Sequence, residues 1–218
     1  MSKVELEGVY YRYPNGVAAL DGIDLSVGRG ERLAITGATG AGKSTVVRHL
    51  NGLLRPSAGR VTVDGHDTSK APVARLARRV GVVFQDPDQQ LFDRTVRDEV
   101  AVGPRNFGLR GSDLAFRVDA ALASAGLSAS AQTHPFDLGY SRRKLVAVAA
   151  VLAMETPIVV IDEPTTGQDL RSIERIESIV EMLRRDGRTL IFVSHDRHFV
   201  ERNADRVVRL ENGRLTTP

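Results

Sequence analysis

The sequence predicts an α/β fold in which a buried parallel sheet is joined to an antiparallel β segment and interrupted by a helical insertion. Three observations predict it. Short continuous apolar runs at Leu33 to Thr36, Val80 to Phe84, Pro157 to Ile161 and Thr189 to Val193 read as strands buried on both faces. They alternate with segments of helical period, such as Lys43 to Leu50 and the stripe Ile173, Ile176, Ile179, Val180 and Leu183. Between them, from Asp86 to about Met154, the chain turns Ala-rich, with apolar residues at helical spacing and breaks at Gly, Ser and Pro.

Taken in order, Val4, Leu6, Val9, Tyr11 and Tyr13 alternate, and Ile23, Leu25 and Val27 repeat the pattern after Pro14-Asn15-Gly16, as antiparallel strands do. Leu33 to Thr36 runs into a Gly-rich turn and then a helix, Lys43 to Leu50, closed by Asn51-Gly52 and Pro56. Arg60 to Gly65 returns to strand, Val73 to Arg79 reads as a short helix, and Ala115 to Ala125 as a longer one. Val207 to Leu210 and Arg214-Leu215 flank Asn212-Gly213, which supplies the positive φ angles of a type I′ hairpin. One domain is expected over 1–218, with 1–85 and 155–218 as the α/β core and 86–154 as the helical subdomain.

Composition narrows the class. The 218 residues are 42% hydrophobic and 26% charged, ordinary for a globular chain able to bury a core unaided, which excludes disorder and collagen. Zero Cys removes thiol catalysis, Cys-zinc sites and disulfide scaffolds. The longest apolar run, Leu145 to Met154, is about half a bilayer span, and the N-terminus carries no signal-type apolar core. A net charge of +3 with no basic run beyond three residues argues against nucleic acid and reads as an Arg-rich solvated surface, with anionic lipid headgroups as a second possibility.

Chemistry is carried first by Gly37-Ala38-Thr39-Gly40-Ala41-Gly42-Lys43-Ser44-Thr45, a match to G-x-x-x-x-G-K-[ST] between a predicted strand and a predicted helix. Such a loop turns backbone N–H groups around phosphate oxygens at a helix N-terminus, with Lys43 on the β/γ-phosphates and Ser44 on Mg²⁺. A chance match in a chain this long is on the order of one in a hundred. Ile158 to Ile161 then delivers Asp162 and Glu163 at a strand end, where Asp162 would hold Mg²⁺ and Glu163 would polarise the attacking water. Ile191 to Ser194 delivers His195 in the same way, within reach of a γ-phosphate; the alternative is a capping His.

With these motifs in this order, nearly the whole chain resembles the ATP-binding-cassette (ABC) ATPases. The resemblance implies a P-loop NTPase fold with an ABC core: a RecA-like parallel sheet, an antiparallel β subdomain and an inserted α-helical subdomain. It implies ATP and Mg²⁺ as cofactors, Tyr13 stacking on adenine, Gln85 sensing Mg²⁺ and coupling to a membrane partner, a D-loop at Thr166-Gly167-Gln168-Asp169, and His195 as the switch histidine. For Tyr13 the alternative is a half-buried strand tyrosine.

One motif departs from the family. Its Leu-Ser-Gly-Gly-Gln signature stands 24 positions before the strand-end Asp, which falls here on Leu138-Gly139-Tyr140-Ser141-Arg142. The helix behind it keeps the family register, so the motif is altered in place. In the family two ATPase domains pair head to tail, each signature capping the γ-phosphate on its partner. Loss of the Ser hydroxyl and gain of a Tyr ring alter that cap, unless Ser141 or Arg142 substitutes.

Asp86-Pro87-Asp88-Gln89-Gln90-Leu91-Phe92, Arg12 to Gly16 and the D-loop resemble the energy-coupling-factor (ECF) class of importers, which take up vitamins, cobalt or nickel. That implies a second ATPase in a hetero- or homodimer, an integral membrane coupling subunit, a substrate-binding membrane protein, and a peripheral position on the cytoplasmic face of the cell membrane. The class commonly carries a C-terminal dimerisation extension; none is expected here after the closing hairpin, and with it no nucleotide-independent pairing. A non-transport ABC ATPase or a regulatory nucleotide-binding module stays open as the alternative.

Overall fold

β1 (Ser2–Arg12) and β2 (Ala18–Gly28) form the expected antiparallel pair. The structure, a computed structural model, describes residues 2–216. Apolar spacing in β1 changes between Leu6 and Val9, and the register slips at the same place, so a bulge keeps Val4, Leu6 and Val9 all inward. β4 (Ala58–Val63) pairs with the other edge of β1 and with the two-residue β5 (His66–Asp67), giving the order β2-β1-β4-β5.

The second sheet is the parallel one. β3 (Arg32–Thr36), β6 (Val80–Val83), β7 (Ile158–Asp162), β8 (Thr189–Val193) and β9 (Arg206–Glu211) run parallel, and β10 (Arg214–Thr216) returns through Asn212 and Gly213 at φ 48° and 77°. The order is β10-β9-β3-β8-β7-β6. Alternate residues of its strands feed two cores. Ile35, Val160, Ile191 and Val193 face α1 (Lys43–Leu50) and the antiparallel sheet, while Val159, Ile161, Leu190 and Phe192 face the remaining helices. Each such buried Val, Leu, Ile or Phe contributes about 1.5–3 kcal/mol, and burial on both faces is why these runs read as unbroken apolar strings.

α2 (Val73–Leu76) is shorter than the predicted Val73 to Arg79. Arg78 N and Arg79 N bond three residues back, to Arg75 O and Leu76 O, a tighter winding that ends the helix ahead of β6. Between β6 and β7 lie α3 (Val96–Asn106), α4 (Gly111–Ser124) and α5 (Tyr140–Ala153), which pack on one another. Thr95 caps α3 by accepting from Asp98 N at 3.0 Å. α6 (Leu170–Arg185) follows the D-loop segment, and α7 (Arg197–Asn203), which periodicity does not predict, starts where Asp196 accepts from Phe199 N at 3.1 Å. Because β3, β8, β7 and β6 are parallel neighbours, the residues after their C-terminal ends share one rim of the sheet.

Candidate functional site

On that rim the Gly37–Thr45 loop joins β3 to α1. Gly42 holds φ at 107°, and a Cβ there would stand 2.4 Å from Ala19 O, so only glycine fits. No side chain caps α1, which leaves its first-turn amides open. Lys43 Nζ folds back on Gly37 O and Ala38 O at 2.8 and 2.9 Å. Tyr13, Thr39, Gly40, Gly42, Lys43, Ser44, Thr45, Gln85, Asp162 and Glu163 line one cleft of about 370 Å³. Ala41 is buried beneath the loop, and Gly37 and Ala38 border an adjoining cavity of about 430 Å³ with His195. Tyr13 sits just past β1; its hydroxyl is 3.0 Å from Thr45 Oγ1 and its ring stands edge-on to Tyr11 at 5.0 Å.

β7 ends beneath the loop. Asp162 is buried, and burial pushes its carboxyl up from its ordinary value, opposed by the hydroxyl of Ser44 and the charge of Lys144. Its Oδ1 is buried without any hydrogen-bond partner. That orphaned oxygen, the Ser44 hydroxyl and the Gln85 amide make a hard, all-oxygen donor set of the kind Mg²⁺ takes together with water and phosphate oxygens. The residues present therefore fit the metal.

Glu163 follows with φ at 52°, a left-handed backbone that is rare outside glycine and costs about 1–3 kcal/mol. Its N–H donates to Val193 O at 2.9 Å, locking the turn to β8. Its Oε2 lies 2.9 Å from His195 Nδ1 and accepts from Thr166 Oγ1 at 3.1 Å. His195 is thus brought onto the Glu163 carboxylate rather than left as a cap.

The altered signature starts α5, with Gly139 as N-cap and no side chain capping the helix. Ser141 Oγ accepts from Asp169 N at 3.1 Å and donates to Gly167 O at 3.3 Å, so this hydroxyl is engaged by the chain's own D-loop. The Tyr140 ring lies against Gly167, and its hydroxyl donates to Gln85 O at 3.4 Å. Burial, then Asp86 and Asp88, push the Tyr140 phenol further up from its ordinary value. Arg142 turns away to Ser130 Oγ at 2.9 Å. Asp169 itself caps α6 by accepting from Ser172 N at 2.8 Å.

Sequence reasoning misses the contact that Thr166 of the D-loop makes, and it misses Lys144 altogether. Thr166 joins the D-loop to Glu163 through the bond given above. Lys144 is 0% exposed in α5, with Nζ donating to Phe84 O at 2.7 Å, Gln85 O at 2.9 Å and Asp162 O at 2.9 Å. Burial pushes its pKa down to about 8, against the pull of Asp162, Glu163 and Asp86. The signal was available: Ala147, Val148 and Val151, three, four and seven residues on, are all buried and apolar.

Comparison with known proteins agrees with this geometry. The ABC transporter family profile matches residues 20–166. The energy-coupling factor transporter ATP-binding protein EcfA of Methanothermobacter thermautotrophicus is 44% identical over 214 residues, covering 97% of this chain and 69% of that protein. A putative ABC transporter ATP-binding protein of Pyrococcus furiosus is 42% identical over 212 residues, covering 97% of this chain and 81% of its own length. Among solved structures, cbiO1 from Clostridium perfringens, part of the ABC transporter complex cbiONQ, superposes with a TM-score of 0.87 at 36% identity, covering 99% of this chain and 87% of that one. A dimeric ATP-binding cassette in a post-hydrolysis state, bound to ADP and Pi, superposes with a TM-score of 0.88 at 28% identity, covering 97% and 96%. The phosphate loop, the strand-end carboxylates and relatives that match along nearly its full length agree that this chain belongs to the ABC transporter family, as an ATP-binding ATPase subunit.

Proposed function

We propose that the chain binds MgATP in the cleft between Tyr13 and the phosphate loop and hydrolyses it to power an ECF-type importer of a vitamin or a transition-metal ion. The observation that carries the hydrolytic reading is the Glu163 carboxylate, held by His195 and Thr166 beside Asp162 and the loop. The importer class is supported by the likeness to EcfA and to cbiO1 of the cbiONQ complex.

In this reading Tyr13 stacks on adenine, and the open amides of the loop with Lys43 take the phosphates. Ser44, Gln85 and Asp162 would hold Mg²⁺, which would supply positive charge to neutralise that of the phosphates. Glu163 accepts a proton from water as the water oxygen bonds to the γ-phosphorus and the bond to the ADP oxygen breaks. His195 fixes which Glu163 oxygen faces that water.

The partners in this reading are a second ABC ATPase, an integral membrane coupling subunit beside Gln85 to Phe92, and a substrate-binding membrane protein, with this chain peripheral on the cytoplasmic face. Among the described residues no helix is long and apolar enough to cross a membrane. Phe92, 72% exposed at the end of that segment, supports a protein contact there. The dimeric neighbour supports pairing. A different ATPase opposite is favoured over a second copy, because the Ser141 hydroxyl is already engaged with Gly167 and Asp169.

The test is uptake in a cell deleted for this chain and supplied with it again as wild type or Lys43→Ala. Vitamin, cobalt or nickel uptake restored by the wild type alone is expected. Uptake of all of them unchanged by the deletion would overturn the importer reading.

A further inference from the structure

Lys144 is the group that the hydrolytic scheme leaves without a part. It lies one helical turn past the start of α5, fully buried, and its three N–H protons go to three carbonyl oxygens at 2.7, 2.9 and 2.9 Å. An ammonium has three donors, so it is saturated. Two of the acceptors, Phe84 O and Gln85 O, follow the end of β6; the third, Asp162 O, ends β7. β6 and β7 are adjacent, with Val83 opposite Ile161, so the lysine binds the two strands together just where the ladder stops.

Packing alone gives no reason for a cation there. Its helical neighbours on that face, Ala147, Val148 and Val151, are apolar and buried, and a leucine or methionine would continue the stripe. A buried ammonium carries a large desolvation cost, offset here by charge-assisted bonds to backbone rather than by a direct ion pair. Those bonds fix the main chain of two residues whose side chains face the nucleotide cleft, Gln85 and Asp162.

We infer that Lys144 is a positioning residue for the ATPase reaction: it sets the spacing of Gln85 and Asp162, and with it the geometry of the Mg²⁺ donors. This rests on the reading of Gln85 and Asp162 as those donors. The lysine does not itself line the nucleotide cleft. It acts through the two carbonyl-bearing residues, and because it sits on α5 it ties the altered signature helix to the metal site within one chain.

The test compares ATP affinity with Mg²⁺ and with EDTA, by titration calorimetry, in the full chain carrying Lys144→Met, Lys144→Arg or Asp162→Asn, with thermal melts to establish folding. The expected result for Lys144→Met is unchanged affinity in EDTA, a loss of about 10–100-fold in the gain that Mg²⁺ confers, and a similar drop in kcat. Lys144→Arg, which keeps the charge and donors, should recover part of both. A folded Lys144→Met chain whose Mg²⁺ gain stays within twofold of wild type would overturn the inference. If it does not fold, Lys144→Gln, with two donors, carries the same comparison. Failure of both to fold while Asp162→Asn folds would also overturn it, making Lys144 a residue of the fold rather than of the site. Should Asp162→Asn keep the full Mg²⁺ gain, the reading of the metal donors fails instead, which separates the two errors.

Discussion

His195 Nδ1 stands 2.9 Å from Glu163 Oε2, the same oxygen that accepts from Thr166 Oγ1 at 3.1 Å. One carboxylate oxygen therefore takes both donors, and in the proposed hydrolytic scheme the other is left for water. The two donors come from separate segments downstream of Glu163, Thr166 from the D-loop and His195 from just past the end of β8. The D-loop is in turn held by Ser141, through Asp169 N at 3.1 Å and Gly167 O at 3.3 Å. A continuous run of contacts thus links the start of α5 to the Glu163 carboxylate. Glu163 holds a left-handed φ of 52° to reach this point, backbone strain of the kind that gathers at working sites.

Glu163→Gln should keep ATP binding and lose turnover. The amide is isosteric, so the bond from Thr166 survives, but it cannot accept a proton. Steady-state hydrolysis by the assembled complex should fall by about 10²–10⁴-fold, the range for loss of a general base, with ATP affinity unchanged. Turnover at the wild-type rate would remove Glu163 from the chemistry.

The same Glu163→Gln chain, purified alone with MgATP, should remain a monomer in light scattering. A γ-phosphate cap needs donors aimed outward, whereas the Ser141 hydroxyl faces Gly167 and Asp169, and Arg142 faces Ser130. Only the uncapped backbone amides at the start of α5 remain. An ATP-driven dimer would show that those amides suffice and that a second copy is the working partner.

Gly167→Ala should disturb the D-loop through Tyr140. Gly167 holds φ at 71°, and an added Cβ would stand 2.8 Å from the Tyr140 ring. The strain and the contact together should cost about 1–2 kcal/mol, read as a fall in Tm of roughly 2–8 °C. Tyr140→Gly removes the contact but not the strain, so the double variant should recover part of the loss; strict additivity would mean that the ring and the D-loop are uncoupled.

The rim of the parallel sheet was legible in the sequence because β7 and β8 are buried at every position and each gives way to polar residues at its C-terminal end. The phosphate loop was legible because its glycines and Lys43 answer to one ligand chemistry. Lys144 was not: its place on an apolar stripe is visible, but which carbonyls it meets depends on how β6 and β7 end beside α5. The contacts of Tyr140 and Ser141 were hidden for a similar reason, since they reach Gln85, Gly167 and Asp169 through loops whose path no periodicity encodes. α2 was overextended because Arg78 and Arg79 are good helix formers, and the need to enter β6 at Val80 overrides that propensity. α7 is only seven residues long and follows a strand without a break that sequence spacing can reveal.

Acid should destabilise the join between the two sheets at Asp64. Its carboxylate follows β4 and pairs with Lys3 of β1 and with Arg79, just before β6, at 3.0 Å. The Lys3 bond holds the Asp64 pKa below the usual carboxylate range; partial burial opposes this, and the charges of Lys3 and Arg79 add to it. A group whose pKa is lowered by folding contributes stability above its unfolded value, and that stability is lost as pH falls through the folded value. The contribution is therefore complete at neutral pH and is lost progressively below about pH 4, as the pH falls through the lowered folded value. Asp64→Asn keeps the shape and tolerates the φ of 47° at this position, but loses the charge. At pH 7 it should cost about 1–3 kcal/mol in urea unfolding, and the gap from wild type should close as pH drops toward 3. A gap that stays constant across that range would mean that Lys3 and Arg79 contribute nothing through the ionised carboxylate.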